Sequence, residues 1–389
     1  MHKTNRFAHP VNMMTRPDFQ PVGHSGGTVT IRIGRDANGR RGYQLTWQNS
    51  RPVPAAMFGV YALPQGIVFC QAELGGIGSP IKQPVVPGGC YLVFIGSDSD
   101  GMFGRQCPRC GGYWRGVAHA TYCPYCGLHA SLVDFLTPGQ RSYVAQFCVK
   151  LGEALDSPED GEYIVDMDAV ADAVGKVSEK PDFYYAEESQ QNKFTCTACG
   201  AVNDVLGRFA YCSACATRND LQELSHKTIP SLRNRINTGG PYEACAKDAV
   251  SEFDSFVGVY VKQLAEHTDM TPARRRRLEN RRFHNLKSVA ADLRDIFDID
   301  ILDGMKPDEV DFAELLFHRR HVYEHKGGEA DEKYIQDSGD ASVRPKQLLH
   351  ETVESAHRIA GLVERMAANL HRGFHEIFPP NEALIKRRR

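Results

Sequence analysis

Four pairs of cysteines are the feature that most restricts how this chain can fold. The pairs read CPRC (107–110), CPYC (123–126), CTAC (196–199) and CSAC (212–215), and twelve residues separate the two pairs of each half. Two C-x-x-C turns at this separation can bring four thiolates around one tetrahedral ion, which is the usual ligand set of structural zinc. The spacing therefore predicts two zinc ribbons rather than buried, metal-free thiols.

The two halves form an internal repeat, because each has a glycine directly after its first pair and a tyrosine directly before its second. The spacing alone leaves open whether each half closes its own site or whether the pairs interleave. Four cysteine ligands fill the coordination sphere of zinc, so we expect two structural zinc ions and no catalytic metal. The predicted ligands are Cys107, Cys110, Cys123, Cys126, Cys196, Cys199, Cys212 and Cys215.

The composition is that of a soluble protein whose cysteines are kept reduced. Hydrophobic residues make up 42% and charged residues 24%, and the net charge of -2 gives no general attraction for nucleic acid. The N-terminal stretch lacks the apolar core of a signal peptide, and runs such as CYLVFIG are too short to span a membrane. We expect a cytoplasmic protein without membrane contact, in which cysteines bind metal rather than form disulfides.

At 389 residues the chain is expected to form several domains. Residues 1–105 alternate in polarity between Gly and Pro clusters and predict a β-rich domain, with Asn38-Gly39 as a hairpin turn. Residues 106–230 contain the ribbons, at 106–127 and 195–216, and a helical insert that begins with Thr137-Pro138. Residues 381–389 are a basic tail.

Residues 241–380 predict four amphipathic helices in an up-and-down bundle. The first has an apolar stripe from Val250 to Leu264, and the second runs from Thr271-Pro272 to about Ile296. The third runs from about Asp308 to Gly327-Gly328, and the fourth from Pro345 to about Phe378. The expected fold class is multidomain α+β, with an N-terminal β domain, two zinc ribbons with intervening helices and a C-terminal four-helix bundle.

The stretch HRRHVYEHKGG (318–328) concentrates histidine and arginine at the end of the third predicted helix. His318, His321 and His325 fall on one helical face, so one hypothesis is a metal hydrolase site, and another is a plain polar or interface helix. A third hypothesis needs no metal. Arginine stabilises phosphate charge and histidine transfers protons near neutral pH, which suffices to move an RNA 2′-hydroxyl onto its own phosphate.

The stretch RRHVYEHKGGEADEKYI resembles the HEPN domain family (higher eukaryote and prokaryote nucleotide-binding). Ribonuclease members of this family carry an arginine, then a polar residue, and a histidine after four to six intervening residues. Arg320, His321 and His325 fit with four intervening residues, and Arg319 would fit with five, which leaves the register open. GGEADEKYI is similar to the segment that follows the motif in the family, and the resemblance covers about residues 241–380.

The resemblance implies a metal-independent endoribonuclease that leaves 2′,3′-cyclic phosphate and 5′-hydroxyl ends, in a regulated defence or toxin role. It implies that Arg320 stabilises the phosphate, that His325 is general base or acid and that His321 orients the reacting groups. Arg319 and Lys326 would be phosphate contacts. It also implies a homodimer. Arg320 and His325 lie about 140° apart around a helix, so two copies related by a two-fold axis would complete one site.

The stretch RRRRLENRRF (274–283) is either a solvated helix face or an RNA-binding surface. Its candidate RNA-binding residues are Arg274, Arg275, Arg276, Arg277, Arg281 and Arg282. In the first ribbon, Tyr113, Trp114 and Arg115 offer groups that stack on a base or pack on the bundle.

The expected partners are RNA, with tRNA as one class, and a trigger molecule or protein bound by the N-terminal domain. The rival hypothesis is a non-enzymatic zinc-ribbon nucleic-acid-binding or adaptor protein that dimerises through the helical bundle.

Overall fold

The computed structural model describes residues 21–23, 28–48, 56–74, 80–82, 85–98, 100–166, 187–279 and 285–387. Their fold is mixed α and β, with sheets in the N-terminal part and a helical region in the C-terminal part, as the sequence predicts. The chain divides into two compact units. Unit 1 comprises residues 1–207, 211–215 and 384–389, and unit 2 comprises residues 208–210 and 216–383. No helix in the described ranges has the length and apolar character needed to cross a membrane.

The strands of unit 1 are β1 (Pro21–Gly23), β2 (Thr28–Arg35), β3 (Arg41–Gln48), β4 (Met57–Ala62), β5 (Val68–Leu74), β6 (Pro80–Lys82), β7 (Tyr91–Gly96), β8 (Phe103–Gln106), β9 (Tyr113–Gly116), β10 (Gly161–Asp166), β11 (Glu187–Glu188), β12 (Asn192–Thr195) and β13 (Val202–Val205). They form sheets ordered β1-β11, β10-β2-β3, β6-β5-β4-β7 and β12-β13-β9-β8. Every neighbouring pair is antiparallel.

The hairpin predicted at Asn38-Gly39 joins β2 to β3 and is confirmed. Gly39 has a φ of 74°, in the left-handed region that glycine adopts without steric cost. The carboxylate of Asp36 accepts the backbone N–H groups of Asn38 and Arg40, each at 2.8 Å, and so satisfies the turn.

The core of unit 1 is shared by three sheets and helix α1. Helix α1 (Pro138–Asp156) begins where the sequence predicts, with Thr137 accepting the N–H of Gln140 at 3.1 Å. Phe147 and Leu151 of α1 lie in one apolar cluster with Ile31 of β2. Strand β10, which the sequence did not reveal, pairs with β2. The N-terminal β layers are therefore completed by residues from the region predicted as a helical insert.

The helical region contains α2 (Asp220–Glu223), a π turn (Leu224–Thr228), α3 (Ile229–Asn237), α4 (Tyr242–His267), α5 (Pro272–Glu279), α6 (Leu286–Phe297), α7 (Pro307–His325), α8 (Glu332–Ser338) and α9 (Val353–Ile377), and α10 (Glu382–Lys386) follows. The first predicted helix is α4, and its apolar stripe from Val250 to Leu264 is buried. The third is α7, which ends at His325 just before Gly327-Gly328. Both predictions are confirmed.

The predicted second and fourth helices are wrong in their bounds. The second is two helices, α5 and α6, because Asn285 caps a new helix by accepting the N–H of Ser288 at 2.9 Å. The fourth begins at Val353 rather than Pro345, because Thr352 is its N-cap and accepts the N–H of Ser355. A short helix that the sequence did not reveal, α8, lies before Pro345 and is capped by Asp331.

Helices α4 and α9 run parallel to each other. Near their N-terminal ends, Cys245 and Ala356 belong to one apolar cluster. Nearer their C-terminal ends, Oη of Tyr260 lies 2.6 Å from Nδ1 of His371.

Helix α7 runs antiparallel to α4. The rings of Phe253 and Phe317 are 5.8 Å apart, and Lys247, earlier on α4, pairs with Glu324, later on α7. The predicted up-and-down order would place the first and third long helices parallel, and it is therefore wrong. The physical reason is the break between α5 and α6, which adds one more helix between α4 and α7.

Candidate functional site

Each half of the cysteine repeat closes a site of its own, which decides the pairing that the spacing left open. One group is Cys107, Cys110, Cys123 and Cys126, and the other is Cys196, Cys199, Cys212 and Cys215; within each, the sulfur atoms lie within 4.8 Å of one another. The Sγ–Sγ distances are 3.7 Å for Cys107–Cys126 and Cys110–Cys123, 3.8 Å for Cys196–Cys215 and 3.6 Å for Cys199–Cys212. Four sulfurs about 2.3 Å from a tetrahedral ion are about 3.8 Å apart, so both groups could hold such an ion without rearrangement.

The two ribbons are joined through a single sheet. Strands β9 and β13 pair so that Arg115 lies opposite Asp204. These two residues are 89 apart in the sequence, which is also the offset between the two halves of the cysteine repeat. Equivalent positions of the repeat therefore face each other, as they do across a two-fold axis.

Backbone bonds at the second C-x-x-C turns follow the same relation. The N–H of Tyr122 donates to the carbonyl of Ser213, and the N–H of Tyr211 donates to the carbonyl of Pro124. The two bonds are equivalent under the same offset of the repeat. The ribbons thus pack as an internal pseudo-symmetric pair within unit 1.

The ribbon residues considered for base stacking are largely buried. Trp114 is 0% exposed and packs edge-on against Phe135, with ring centroids 5.1 Å apart. Arg115 is 2% exposed, donates to Asp204 at 2.8 Å and bonds Asp98. Stacking of an RNA base on Trp114 or Arg115 is therefore excluded, and both side chains stabilise unit 1.

Near the C-terminus, the segment expected as a basic tail includes helix α10. Ile385 of this helix is 8% exposed and packs in an apolar cluster with Cys196, Cys212 and Cys215. The final residues 388–389 lie outside the described ranges. The end of the chain therefore contributes to the surroundings of the second cysteine group.

The second candidate site is the His–Arg cluster, defined as Arg320, His321 and His325 at the end of α7. His321 and His325 are exposed, and their ring centroids are 4.8 Å apart, one helical turn from each other. Gly327 and Gly328 have positive φ angles of 61° and 86°, which end the helix just after the cluster. Two imidazoles therefore reach solvent together.

Arg319 is engaged within the fold. Its Nη1 donates to Glu351 and its Nη2 to Asp340, each at 3.0 Å, and its Nε donates to the hydroxyl of Tyr334 at 3.2 Å. Only 14% of the side chain is exposed. Both amino groups thus bind carboxylates, so the geometry does not support the expected phosphate contact of Arg319.

Two members of this network, Asp340 and Tyr334, keep their protonation state across the physiological pH range. Burial raises the pKa of Asp340, but hydrogen bonds from Ser342, Tyr334 and Arg319 outweigh it and lower the pKa to about 2. Burial and the bond to Asp340 raise the pKa of Tyr334 to about 12. The network therefore ties the chain after α7 to Arg319, directly beside the His–Arg cluster.

Arg320 is turned toward α4. Its Nε donates to Oγ of Ser251 at 3.3 Å, its Nη2 lies 3.9 Å from Asp254, and 20% of its side chain is exposed. One turn earlier on α4, Lys247 pairs with Glu324 at 3.1 Å and lowers the pKa of that carboxyl. Sequence reasoning missed these α4 residues, because no local pattern links them to a motif so far along the chain.

Lys326, expected as a phosphate contact, is the C-cap of α7 and bonds Asp331. The carboxylate of Asp331 also accepts the N–H of Tyr334 at 2.8 Å and so caps α8. A lysine in this pair can contact a phosphate only by leaving the carboxylate. The charge of Lys326 is therefore balanced in the resting fold.

The histidines do not form a metal site. Among the described residues, the groups of three or more metal-binding side chains with ligand atoms within 4.8 Å are the two cysteine groups. His318, His321 and His325 are all described, and they form no such group. The geometry thus disfavours the metal hydrolase hypothesis.

The arginine tract lies at the opposite end of α4 from the His–Arg cluster. Arg274–Arg277 are on α5; all but Arg275 are exposed, and Arg277 lies 3.9 Å from Asp292. Arg281 and Arg282 fall outside the described residues. At 1.5 Å per residue, Ser251 and the end of α4 are separated by about 25 Å. Arg274–Arg277 and the His–Arg cluster therefore lie near opposite ends of this stretch of α4.

No family model matches the chain, and neither the curated proteins nor the solved structures contain a match. The resemblance to the HEPN family therefore rests on the motif around Arg320 and His325 and on the segment that follows it.

Proposed function

We propose that the protein is a metal-independent endoribonuclease that cleaves RNA at the His–Arg cluster. The observation that carries the proposal is the exposed imidazole pair beside Arg320 at the end of α7. In the reaction, the 2′-oxygen forms a bond to phosphorus while the bond from phosphorus to the 5′-oxygen breaks. The products are a 2′,3′-cyclic phosphate and a 5′-hydroxyl. One base takes the proton of the 2′-hydroxyl, and one acid returns a proton to the leaving oxygen.

The roles are those that the resemblance to the HEPN family implies. His325 is the general base or acid, and His321 orients the reacting groups. Arg320 stabilises the charge that develops on the phosphorane, since a guanidinium offers paired donors to phosphate oxygens. Arg319 binds two carboxylates, which supports Arg320 as the arginine of the motif.

The active form is a homodimer in which two His–Arg clusters face one cleft. The side chain of Arg320 contacts Ser251 and Asp254 on α4, whereas the imidazoles of His321 and His325 are exposed to solvent. Within one chain, the group that binds phosphate and the groups that transfer protons therefore have different surroundings. A two-fold axis through the cleft supplies the missing group from the second copy.

The remaining parts of the chain serve structure, binding and control. The two cysteine groups hold zinc, since four thiolates with sulfur spacings of 3.6 to 3.8 Å suit that ion and leave no position for catalysis. The arginine tract binds RNA phosphates in a salt-dependent way. We place the enzyme in the cytoplasm, in a defence or toxin role, with the N-terminal β domain binding a trigger.

The test is cleavage of total tRNA and of a mixed mRNA pool during short incubation in excess EDTA. The wild type should produce cyclic phosphate ends. His325→Ala and Arg320→Ala should each lose about 100-fold or more in rate, the range for a lost proton-transfer group or charge donor. His357→Ala serves as the matched control, because this α9 histidine bonds Asn237 instead.

Equal cleavage by the variants and the wild type would disprove the assigned site, and complete loss in EDTA with the zinc retained would disprove the metal-independent mechanism. RNA binding without cleavage, by dimeric protein in all forms, would favour the non-enzymatic zinc-ribbon adaptor.

A further inference from the structure

A polar groove of about 580 Å³ lies in unit 2 between the π turn with α3 and the N-terminal half of α4. Thr228 and Ser231 line it on one side, and Ser251 lines it on the other. The groove is open to solvent, and its volume falls in the range of sites that bind small organic ligands. None of the sequence motifs pointed to this groove.

The groove is continuous with the His–Arg cluster through one residue. Ser251 lines the groove, and its Oγ accepts the Nε–H of Arg320 at 3.3 Å. A phosphate bound by Arg320 would therefore have the nucleoside attached to it at the mouth of the groove.

The charges in the groove are balanced. Its three cations each pair with a carboxylate, at 2.9 Å for Arg208–Glu252, 2.6 Å for Lys227–Glu223 and 2.8 Å for Arg235–Asp248. Because these charges cancel, the groove lining attracts phosphate only weakly. The phosphate at the cleavage site is therefore better bound by Arg320, outside the groove. The lining does offer hydrogen-bond donors and acceptors side by side, which is the pattern that the edge of a nucleic-acid base requires.

We propose that this groove receives a base of single-stranded RNA directly beside the cleaved phosphate; the proposal rests on the ribonuclease function above. A base can enter only when it is unpaired, because pairing hides its Watson–Crick edge. The side chains of Arg208 and Arg235 are 42% and 44% exposed. The guanidinium of Arg208 already lies over the ring of Phe209, so Arg235 offers the planar face that can stack on the base. The substrate class is thus single-stranded RNA or an RNA loop, with a base preference at one position next to the cut.

The decisive variant is Ser231→Tyr, which places a ring in the groove from an exposed position on α3. Asn234→Tyr puts the same ring on the same helix at an exposed position that does not line the groove. Both are compared with wild type on single-stranded RNAs with randomised bases, and the cleavage sites are mapped. Ser231→Tyr should flatten the base preference and lower kcat/KM about tenfold, as expected for two lost hydrogen bonds. Asn234→Tyr should keep both.

A second measurement separates the groove from the catalytic proposal. Fluorescent 2′-deoxy strands that carry each of the four bases in turn at one position cannot be cleaved. The affinity of the tightest-binding strand should be about tenfold weaker for Ser231→Tyr alone. If no RNA is cut but this binding pattern is seen, the ribonuclease proposal fails and the groove stands. Unchanged preference and affinity in Ser231→Tyr, or equally tight binding of a fully paired duplex, would overturn the groove proposal.

Discussion

Acid should weaken unit 2 through His371, a buried histidine on α9. Burial, together with the charges of His375 and Arg218, lowers the pKa of His371 to about 3. Its Nδ1 lies 2.6 Å from the hydroxyl of Tyr260, and its ring centroid is 4.6 Å from that of His375. The folded protein therefore keeps this imidazole neutral at pH values where an exposed histidine is protonated.

The size of the effect follows from the two pKa values. A histidine in an unfolded chain has a pKa of about 6.5, so between pH 6.5 and 3 the unfolded state binds a proton that the folded state does not. The contribution of His371 is complete above pH 6.5 and is lost as the pH falls toward 3. At about 1.4 kcal/mol per pKa unit, the free energy of unfolding should fall by about 2 kcal/mol from pH 7.5 to pH 5.

The assay is hydrogen exchange of α4 and α9 at both pH values, corrected for the intrinsic exchange rates. His371→Gln keeps an acceptor for Tyr260 without titrating, so its protection should lose about 2 kcal/mol less than that of the wild type. His357→Gln, a histidine that bonds Asn237 instead, should behave as the wild type does. An NMR signal of His371 that titrates near pH 6.5, or an equal loss in all three proteins, would refute the reasoning.

Arg319→Ala leaves the buried carboxylates of Asp340 and Glu351 without their cation, so the free energy of unfolding of unit 2 should fall by about 3–5 kcal/mol. Arg320→Ala should lower the free energy of unfolding of unit 2 by less than about 1 kcal/mol. Both values are measured by hydrogen exchange, and an equal loss in the two variants would contradict the distinction between the two arginines. Native mass spectrometry should find two zinc ions per chain and one in Cys199→Ser; a variant that keeps both ions would contradict the ligand assignment.

Local sequence signals were sufficient where the structure depends on residues close together in the chain. Thr137 and Gln140 define the start of α1 by bonds to each other's backbone, and Gly327-Gly328 follows the end of α7. In these cases the side chain and its backbone partner are neighbours, so spacing alone predicts the geometry.

The same local reasoning failed where one cap interrupts a long apolar pattern. Leu278 and Leu286 are both buried and fit a single helix, but Asn285 starts a new one. The sequence pattern predicts a fourth helix that begins at Pro345, whereas Thr352 is its N-cap. Residue types that cap helices, such as Asn and Thr, also occur inside helices. Whether such a residue is an N-cap or an interior residue depends on the tertiary fold around it.

The sequence by itself determined which eight cysteines could bind metal, the long helices α4 and α7, and the concentration of histidine and arginine at the end of α7. Tertiary structure decided that each half of the cysteine repeat closes its own group. It also decided what each cation faces. Arg319 and Arg320 are neighbours with the same chemistry, yet Arg319 binds Asp340 and Glu351, while Arg320 turns toward Ser251 on α4. A charge acts on whatever lies within a few ångströms of it, and those neighbours come from distant parts of the chain that only folding brings together.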